Sequence, residues 1–225
     1  MRGESRVCPA CLLSDTDMRL TSGAMTKTYI RTLWVISSAR VCPVHKLALI
    51  PPPEDSSKHE FVDAWLPWMF EVVEGELDQK IIWGGLYDDH VVRRLNGDHP
   101  EGWANSFPIG ALGAICEVLG GSVIHGKTAT LGRLSQEELA IATSAGSAML
   151  NAGPSEVRSY FERLRTHPGK PQDRPQARYG RIYDWLKRGT ESGPEFEPLK
   201  DLLRHHILEN WPFGGRRTGA GPHFD

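Results

Sequence analysis

SQEELAIATSAGSAMLNAGPSEVRSYFERLRT, residues 135–166, is the stretch on which the fold class turns. It opens with Ser135-Gln136-Glu137-Glu138, where a serine and a glutamate three residues on can cap each other's amides, the mark of a helix N-terminus. An Ala-rich run continues to Asn151 and stops at Gly153-Pro154. Pro154-Ser155 then starts a second helix with Val157, Tyr160, Phe161 and Leu164 on one apolar face, ending by His167-Pro168-Gly169. Helices in tandem across one Gly-Pro predict a helical protein.

Working outward, the pattern repeats. Ser106 and Pro108 open an apolar stretch closed by Gly120 and Gly121, a buried helix carrying Leu112, Ile115 and Leu119. A Pro-rich basic linker, 168–175, precedes two further helical segments, Tyr179 to Lys187 and Phe196 to Trp211. The second carries Leu199, Leu202, Leu203 and Ile207 on one face. From His59 to Leu77, residues Phe61, Val62, Trp65, Met69, Val72 and Val73 recur at helical spacing, with a kink at Pro67. Only the N-terminal part departs: Ile30, Leu33, Val35 and Ile36 alternate and predict a short strand running into Val41, ended by Pro51-Pro52-Pro53. The expectation is a mainly α protein, with a small zinc-knuckle or ribbon-like module at 1–53 and a helical region at 54–225.

Composition agrees. Of 225 residues 40% are hydrophobic, enough to bury a core. No apolar run approaches the ~20 residues of a spanning helix, since the longest, Phe61 to Val73, is broken by Asp63, Pro67 and Glu71. No membrane association is expected. The N-terminal MRGESRVCPAC has no apolar core of a signal peptide, so a reducing cytoplasmic setting is the expectation. Charge is nearly balanced but segregated: 7 basic and 3 acidic residues in 1–46, 2 and 10 in 54–89, 9 and 3 in 158–188. The acidic block would repel DNA or face a basic partner, while the basic blocks suit nucleic-acid contact.

The sharpest chemical signal is Cys8-Pro9-Ala10-Cys11 and, further on, Cys42-Pro43-Val44-His45. A two-residue gap lets both side chains of a tight turn reach one ion, and two such turns complete a tetrahedral shell for Zn2+. Four protein ligands leave no open position for water, so Cys8, Cys11, Cys42 and His45 point to structural rather than catalytic metal. Cys116, inside an apolar helix, reads as an inert core thiol.

The residues Arg6-Val7-Cys8-Pro9-Ala10-Cys11-Leu12, Leu33-Trp34 and Val41-Cys42-Pro43-Val44-His45-Lys46-Leu47-Ala48-Leu49 resemble the zinc-binding region of the TniQ family. Gly153-Pro154 with Val157 to Leu164, Tyr179-Gly180-Arg181-Ile182-Tyr183-Asp184-Trp185-Leu186, and Leu199 to Trp211 resemble the helical part that follows in that family. The resemblance implies a bacterial, nucleoid-associated adaptor of transposition, not an enzyme. It would connect target DNA, or a guide RNA–protein complex bound to it, to a transposition ATPase and the transposase complex, with one structural zinc and the ability to act as a homodimer. Larger members carry a longer N-terminal stretch and a helix-turn-helix region. This chain starts close to Cys8 and stops soon after Gly214-Gly215-Arg216-Arg217, so a short form is expected, or a defective, domesticated fragment. Trp34 is expected to pack beside the metal ligands.

Two further motifs compete for attention. Gly121-Ser122-Val123-Ile124-His125-Gly126-Lys127-Thr128 spells the phosphate-binding loop G-x-x-x-x-G-K-[ST], in which Lys127 would reach the phosphates and Thr128 would hold Mg2+. Its context is a preceding helix instead of a strand, and the cap at Ser135 leaves little room for a following helix. A Gly-rich connection between helices is therefore the plainer expectation, with a nucleotide-binding protein the alternative. The segment Arg174 to Arg188 sets Arg174, Arg178, Arg181, Lys187 and Arg188 among Tyr179, Tyr183 and Trp185, which suits phosphate contacts beside stacking aromatics. The same residues place Tyr179, Ile182, Tyr183 and Leu186 on one apolar stripe with solvated charges opposite. His205 and His206, next to each other on a helix, point about 100° apart and cannot readily share a metal. Asp88-Asp89-His90 and Asp98-His99 read as polar turns.

Overall fold

The computed structural model describes residues 6–12, 14–15, 31–51, 85–166, 174–188 and 193–210, the side chains of Leu186 and Arg188 apart. The described residues are mainly helical and contain no strand, only two isolated antiparallel bridges, Val7 with Ile50 and Val41 with Ala48. The expected helix at His59 to Leu77, most of the linker and most of the acidic block lie outside the described residues. Among them the helices are α1 (Leu86–Leu95), α2 (Ile109–His125), α3 (Gln136–Ala152), α4 (Pro154–Thr166), α5 (Pro175–Tyr179), α6 (Arg181–Arg188) and α7 (Glu197–Asn210). The chain divides into two compact units, Met1–Pro100 with Leu134–Ser144, and Glu101–Arg133 with Ala145–Asp225.

In the first unit the N-terminal segment, the 31–51 segment, α1 and the start of α3 share a small core. Val41 and Ala140 are buried against each other, with Ala48 packed on them. Polar ties add to it: Ser38 Oγ and Tyr87 Oη lie 2.6 Å apart, Gly85 N donates to Ser144 Oγ at 2.8 Å, and Arg40 Nη1 donates to Gln136 Oε1 at 2.5 Å. Over the described residues 31–36 the predicted strand is instead a 3-10 turn, Thr32–Val35. Alternation fails there because the neighbours Leu33 and Trp34 are both buried while Val35 is 53% exposed. Asp88-Asp89-His90 is no turn either; it lies in α1, with Asp88 and His90 buried.

The second unit is built around α2, whose Leu112, Ile115, Cys116 and Leu119 are fully buried. The helix does not end at Gly120-Gly121 as the sequence predicts but runs on to His125. These glycines are buried packing positions: a Cβ on Gly121 would stand 2.6 Å from Leu131 Cδ2. On α3 a Cβ at Gly146 would stand 2.1 Å from the Cys116 carbonyl oxygen, so the two helix backbones approach as closely as glycine allows. The capping box at the start of α3, which belongs to the first unit, forms as read: Ser135 N donates to Glu138 Oε2 at 2.7 Å and Glu138 N to Ser135 Oγ at 3.2 Å.

α4 buries Val157, Tyr160, Phe161 and Leu164, and its Tyr160 Oη lies 2.6 Å from Ser122 Oγ of α2. Phe161, Tyr179 and His206, from α4, α5 and α7, meet with ring centroids 6.3, 5.9 and 5.8 Å apart. α7 buries Leu199, Leu203 and Ile207, with Leu202 only partly covered. The helix expected over Tyr179–Lys187 is broken at Gly180 into α5 and α6, because Gly180 has φ +58° and a Cβ there would lie 2.1 Å from Lys127 O. Arg181 N instead donates to that oxygen at 2.9 Å, and Lys127 Nζ donates to Ala177 O at 2.7 Å.

Candidate metal centre

Local geometry makes the first turn: residues 9–12 are helical and Leu12 N donates to Cys8 O at 3.1 Å, which brings Cys8 and Cys11 to one side. The second turn closes through Cys42 N to Leu47 O, Lys46 N to Cys42 O and Leu49 N to Arg40 O, each 2.8 Å. His45 N also points at Cys42 Sγ, 3.5 Å away. Lys46 completes this tight return at φ 55°, where a non-glycine residue is strained.

Pairing of the segments that flank them brings the turns together. Val7 and Ile50 exchange backbone hydrogen bonds of 2.9 and 3.0 Å, and Arg6 N donates to Trp34 O at 2.9 Å. Trp34 is 1% exposed, with the Arg31 guanidinium 4.9 Å above its ring, so its carbonyl fixes the segment leading into Cys8.

The donor atoms of Cys8, Cys11, Cys42 and His45 all lie within 4.8 Å of one another, and the four side chains can hold one metal ion. The separations test the fit. A tetrahedral shell with metal–sulfur bonds of about 2.3 Å has edges of about 3.8 Å. Here His45 Nδ1 is 3.5 Å from Cys8 Sγ, 3.3 Å from Cys11 Sγ and 3.6 Å from Cys42 Sγ, and Cys11 and Cys42 sulfurs are 3.7 Å apart. The cysteines are buried and His45 is half-buried.

Crowding also splits the thiol acidities. Cys42 is held low because Cys11, and then Cys8, hydrogen-bond to its thiolate, whereas Cys11 is pushed high by its bonds to Cys42 and Cys8. Cys8 is raised to about 11: the bond from Cys11 that favours its thiolate is outweighed by its bond to Cys42 and by burial. Without an ion the cluster therefore retains thiol protons that a bound cation must displace, which couples metal uptake to proton release. Cys116 stands apart, fully buried, its thiol pushed up by burial.

The other sequence candidates are dispersed. Gly121 to His125 form the last turns of α2, and Lys127 is engaged on Ala177 O, so these residues shape a helix end. Tyr179, Ile182 and Tyr183 are buried, which makes them core and not stacking surfaces, while Trp185 is half-buried edge-on against Phe196, 5.3 Å between centroids. Arg178 Nη1 donates to Arg165 O and Arg181 Nη2 to Thr130 Oγ1, both at 3.0 Å; Arg174 and Lys187 are exposed, and Arg188 lies in α6. His205 is exposed and His206 buried, so they share no site. Asp98 pairs with Arg93 at 3.5 Å and His99 is exposed.

The residue that sequence reasoning missed is Asp88, 3% exposed, whose Oδ1 accepts from Arg40 N at 2.8 Å and Val41 N at 3.2 Å. Burial raises its pKa from 3.8 to about 6, against the lowering effect of those amides. Compared with family models, curated proteins and solved structures, the chain gives no match.

Proposed function

We propose that this chain is a zinc-stabilised adaptor in DNA transposition, linking target DNA or a target-bound guide RNA–protein complex to the transposition ATPase and transposase, and that it is a binding protein and not an enzyme. The observation that carries the metal half is the Cys8, Cys11, Cys42 and His45 cluster: all its donors lie within 4.8 Å of one another, and the four separations of 3.3–3.7 Å are close to the edges of a tetrahedral shell. Three thiolates and an imidazole in that geometry suit Zn2+ above harder cations. Four protein donors fill the shell, so the ion would cross-link the residue 8–11 turn to the residue 42–45 turn and serve structure. The transposition half rests on the likeness of residues 6–12, 33–34 and 41–49, and of the helical segments from Gly153 onward, to the TniQ family. Exposed Arg174 and Lys187 supply cations for a nucleic-acid contact on the helical region.

Elemental analysis of protein purified without added metal tests this reading. One zinc per chain is expected, lost together with the fold in Cys42→Ala. Co-purification with a transposition ATPase is the second expected result. A well-folded wild type without zinc overturns the metal half, and zinc-loaded protein that binds neither transposition proteins nor nucleic acid at low salt overturns the adaptor half.

A further inference from the structure

The Cys42–His45 turn is gripped on both sides by two consecutive carboxylates. Before the turn, Asp88 Oδ1 accepts the amides of Arg40 and Val41 at 2.8 and 3.2 Å. After it, Lys46 Nζ reaches Asp89 Oδ1 and Oδ2 at 3.0 and 3.2 Å. Both acids sit in the first turn of α1, far from the cysteines in sequence. That helix is itself anchored, by Gly85 N on Ser144 Oγ and Tyr87 Oη on Ser38 Oγ.

We propose that Asp88 and Asp89 are positioning residues of the metal centre, holding the Cys42–His45 turn in its ligating shape against the rigid start of α1. The inference rests on the metal reading above. Its physical content is preorganisation: a ligand pair already fixed loses less freedom when the ion arrives, and partners behind the ligands govern how tightly the ion is retained. The two acids divide the task. Asp88, buried, fixes the backbone entering Cys42 through two amide donors that would otherwise be left without an acceptor in the core. Asp89, half-exposed, ties down Lys46, whose left-handed backbone makes the return after His45 and would relax more easily if its side chain were released.

The test uses the full chain loaded with Zn2+, titrated with a competing chelator, and parallel Co2+ substitution read by its thiolate charge-transfer and ligand-field absorption. Asp88→Ala is expected to weaken metal retention about tenfold or more, the scale for lost outer partners of a metal ligand, and to shift the Co2+ bands. Asp88→Asn, which keeps an oxygen for both amides, is expected to hold metal like the wild type. Asp89→Ala, at an exposed pair, is expected to weaken retention by up to about fivefold. A folded Asp88→Ala chain with wild-type affinity and unchanged Co2+ bands overturns the proposal. Should that variant not fold, Asp89→Ala decides, and unchanged affinity and bands there overturn it. A wild type that takes up neither ion defeats the underlying metal reading and this one with it, whereas a wild type that binds while the variants match it defeats the positioning role alone.

Discussion

Replacing Gly146 by alanine sets two physical effects against each other. In an exposed helix interior the change is favourable by up to about 1 kcal/mol, because alanine loses less backbone freedom on folding. At Gly146, however, the new Cβ would stand 2.1 Å from the Cys116 carbonyl oxygen and 2.7 Å from the Cys116 Cα and carbonyl carbon. A carbon needs about 3.3 Å from such an oxygen, so α2 and α3 must separate by about 1 Å. The obstacle is backbone, which has no rotamer to retreat into, and a gap of that size forfeits about a quarter to half of the dispersion energy along the contact. Overpacking of this kind costs about 1–3 kcal/mol, and the rigid obstacle places it near the top of that range. With the propensity gain subtracted, a loss of about 2 kcal/mol remains, a fall in Tm of about 4–8 °C for a chain this long. Thermal unfolding of the wild type, Gly146→Ala and the Gly146→Ala, Cys116→Ala double variant measures it. The double variant stays low, because removing the Cys116 thiol leaves its carbonyl in place. Gly110→Ala, in the first turn of α2 with open space around it, goes the other way and stabilises. A Gly146→Ala protein as stable as the wild type would refute the close crossing.

Three other outcomes are expected. Burial raises the Asp88 pKa from 3.8 to about 6, so the folded chain binds this proton more tightly than the unfolded chain and stability falls as pH rises through that window. Asp88→Asn removes the charge but keeps an acceptor. In urea titrations it should gain on the wild type by about 1.4 kcal/mol as pH rises from 5 to 8, the upper part of that window, and a pH-independent difference would contradict the assignment. Ser135→Ala removes the reciprocal cap of α3 and lowers stability by about 1 kcal/mol, with Glu138→Ala no longer additive in the double variant. If Arg174 and Lys187 contact phosphates, their joint replacement by alanine lowers the salt slope of nucleic-acid binding by about two units, and an unchanged slope removes them from the contact surface.

What could be read from the chain alone follows from where each determinant lies. The α3 cap, the Gly153-Pro154 junction and the apolar faces of α4 and α7 are set by residues within a turn or two of one another, and they appear where the pattern places them. Sequence and structure diverge most at glycines. Gly120-Gly121 look like a stop but lie buried inside α2, and Gly180 looks neutral but breaks a helix, because its left-handed backbone lies against the carbonyl of distant Lys127. α1 is hidden for a similar reason: Asp88-Asp89-His90 has turn composition, yet acids suit a helix N-terminus, and the partners that make a buried Asp88 tolerable are 47 and 48 residues away. The four side chains of the Cys/His cluster are legible because knuckle spacing is local. The frame behind them, Val7 on Ile50 and α1 on the second turn, is not.

The corner at Gly180 also bears on the order of assembly. Helical proteins usually fold fast because their contacts are close in sequence. Here Lys127 grips Ala177 across 50 residues and Thr130 meets Arg181 across 51, so α5 and α6 cannot be seated until α2 and the chain after it are in place. Joining such distant points carries a loop-closure entropy that contacts within one helix do not. The α5–α6 corner is therefore a late event, and weakening it at Lys127 or Gly180 should quicken unfolding while leaving the refolding rate nearly unchanged.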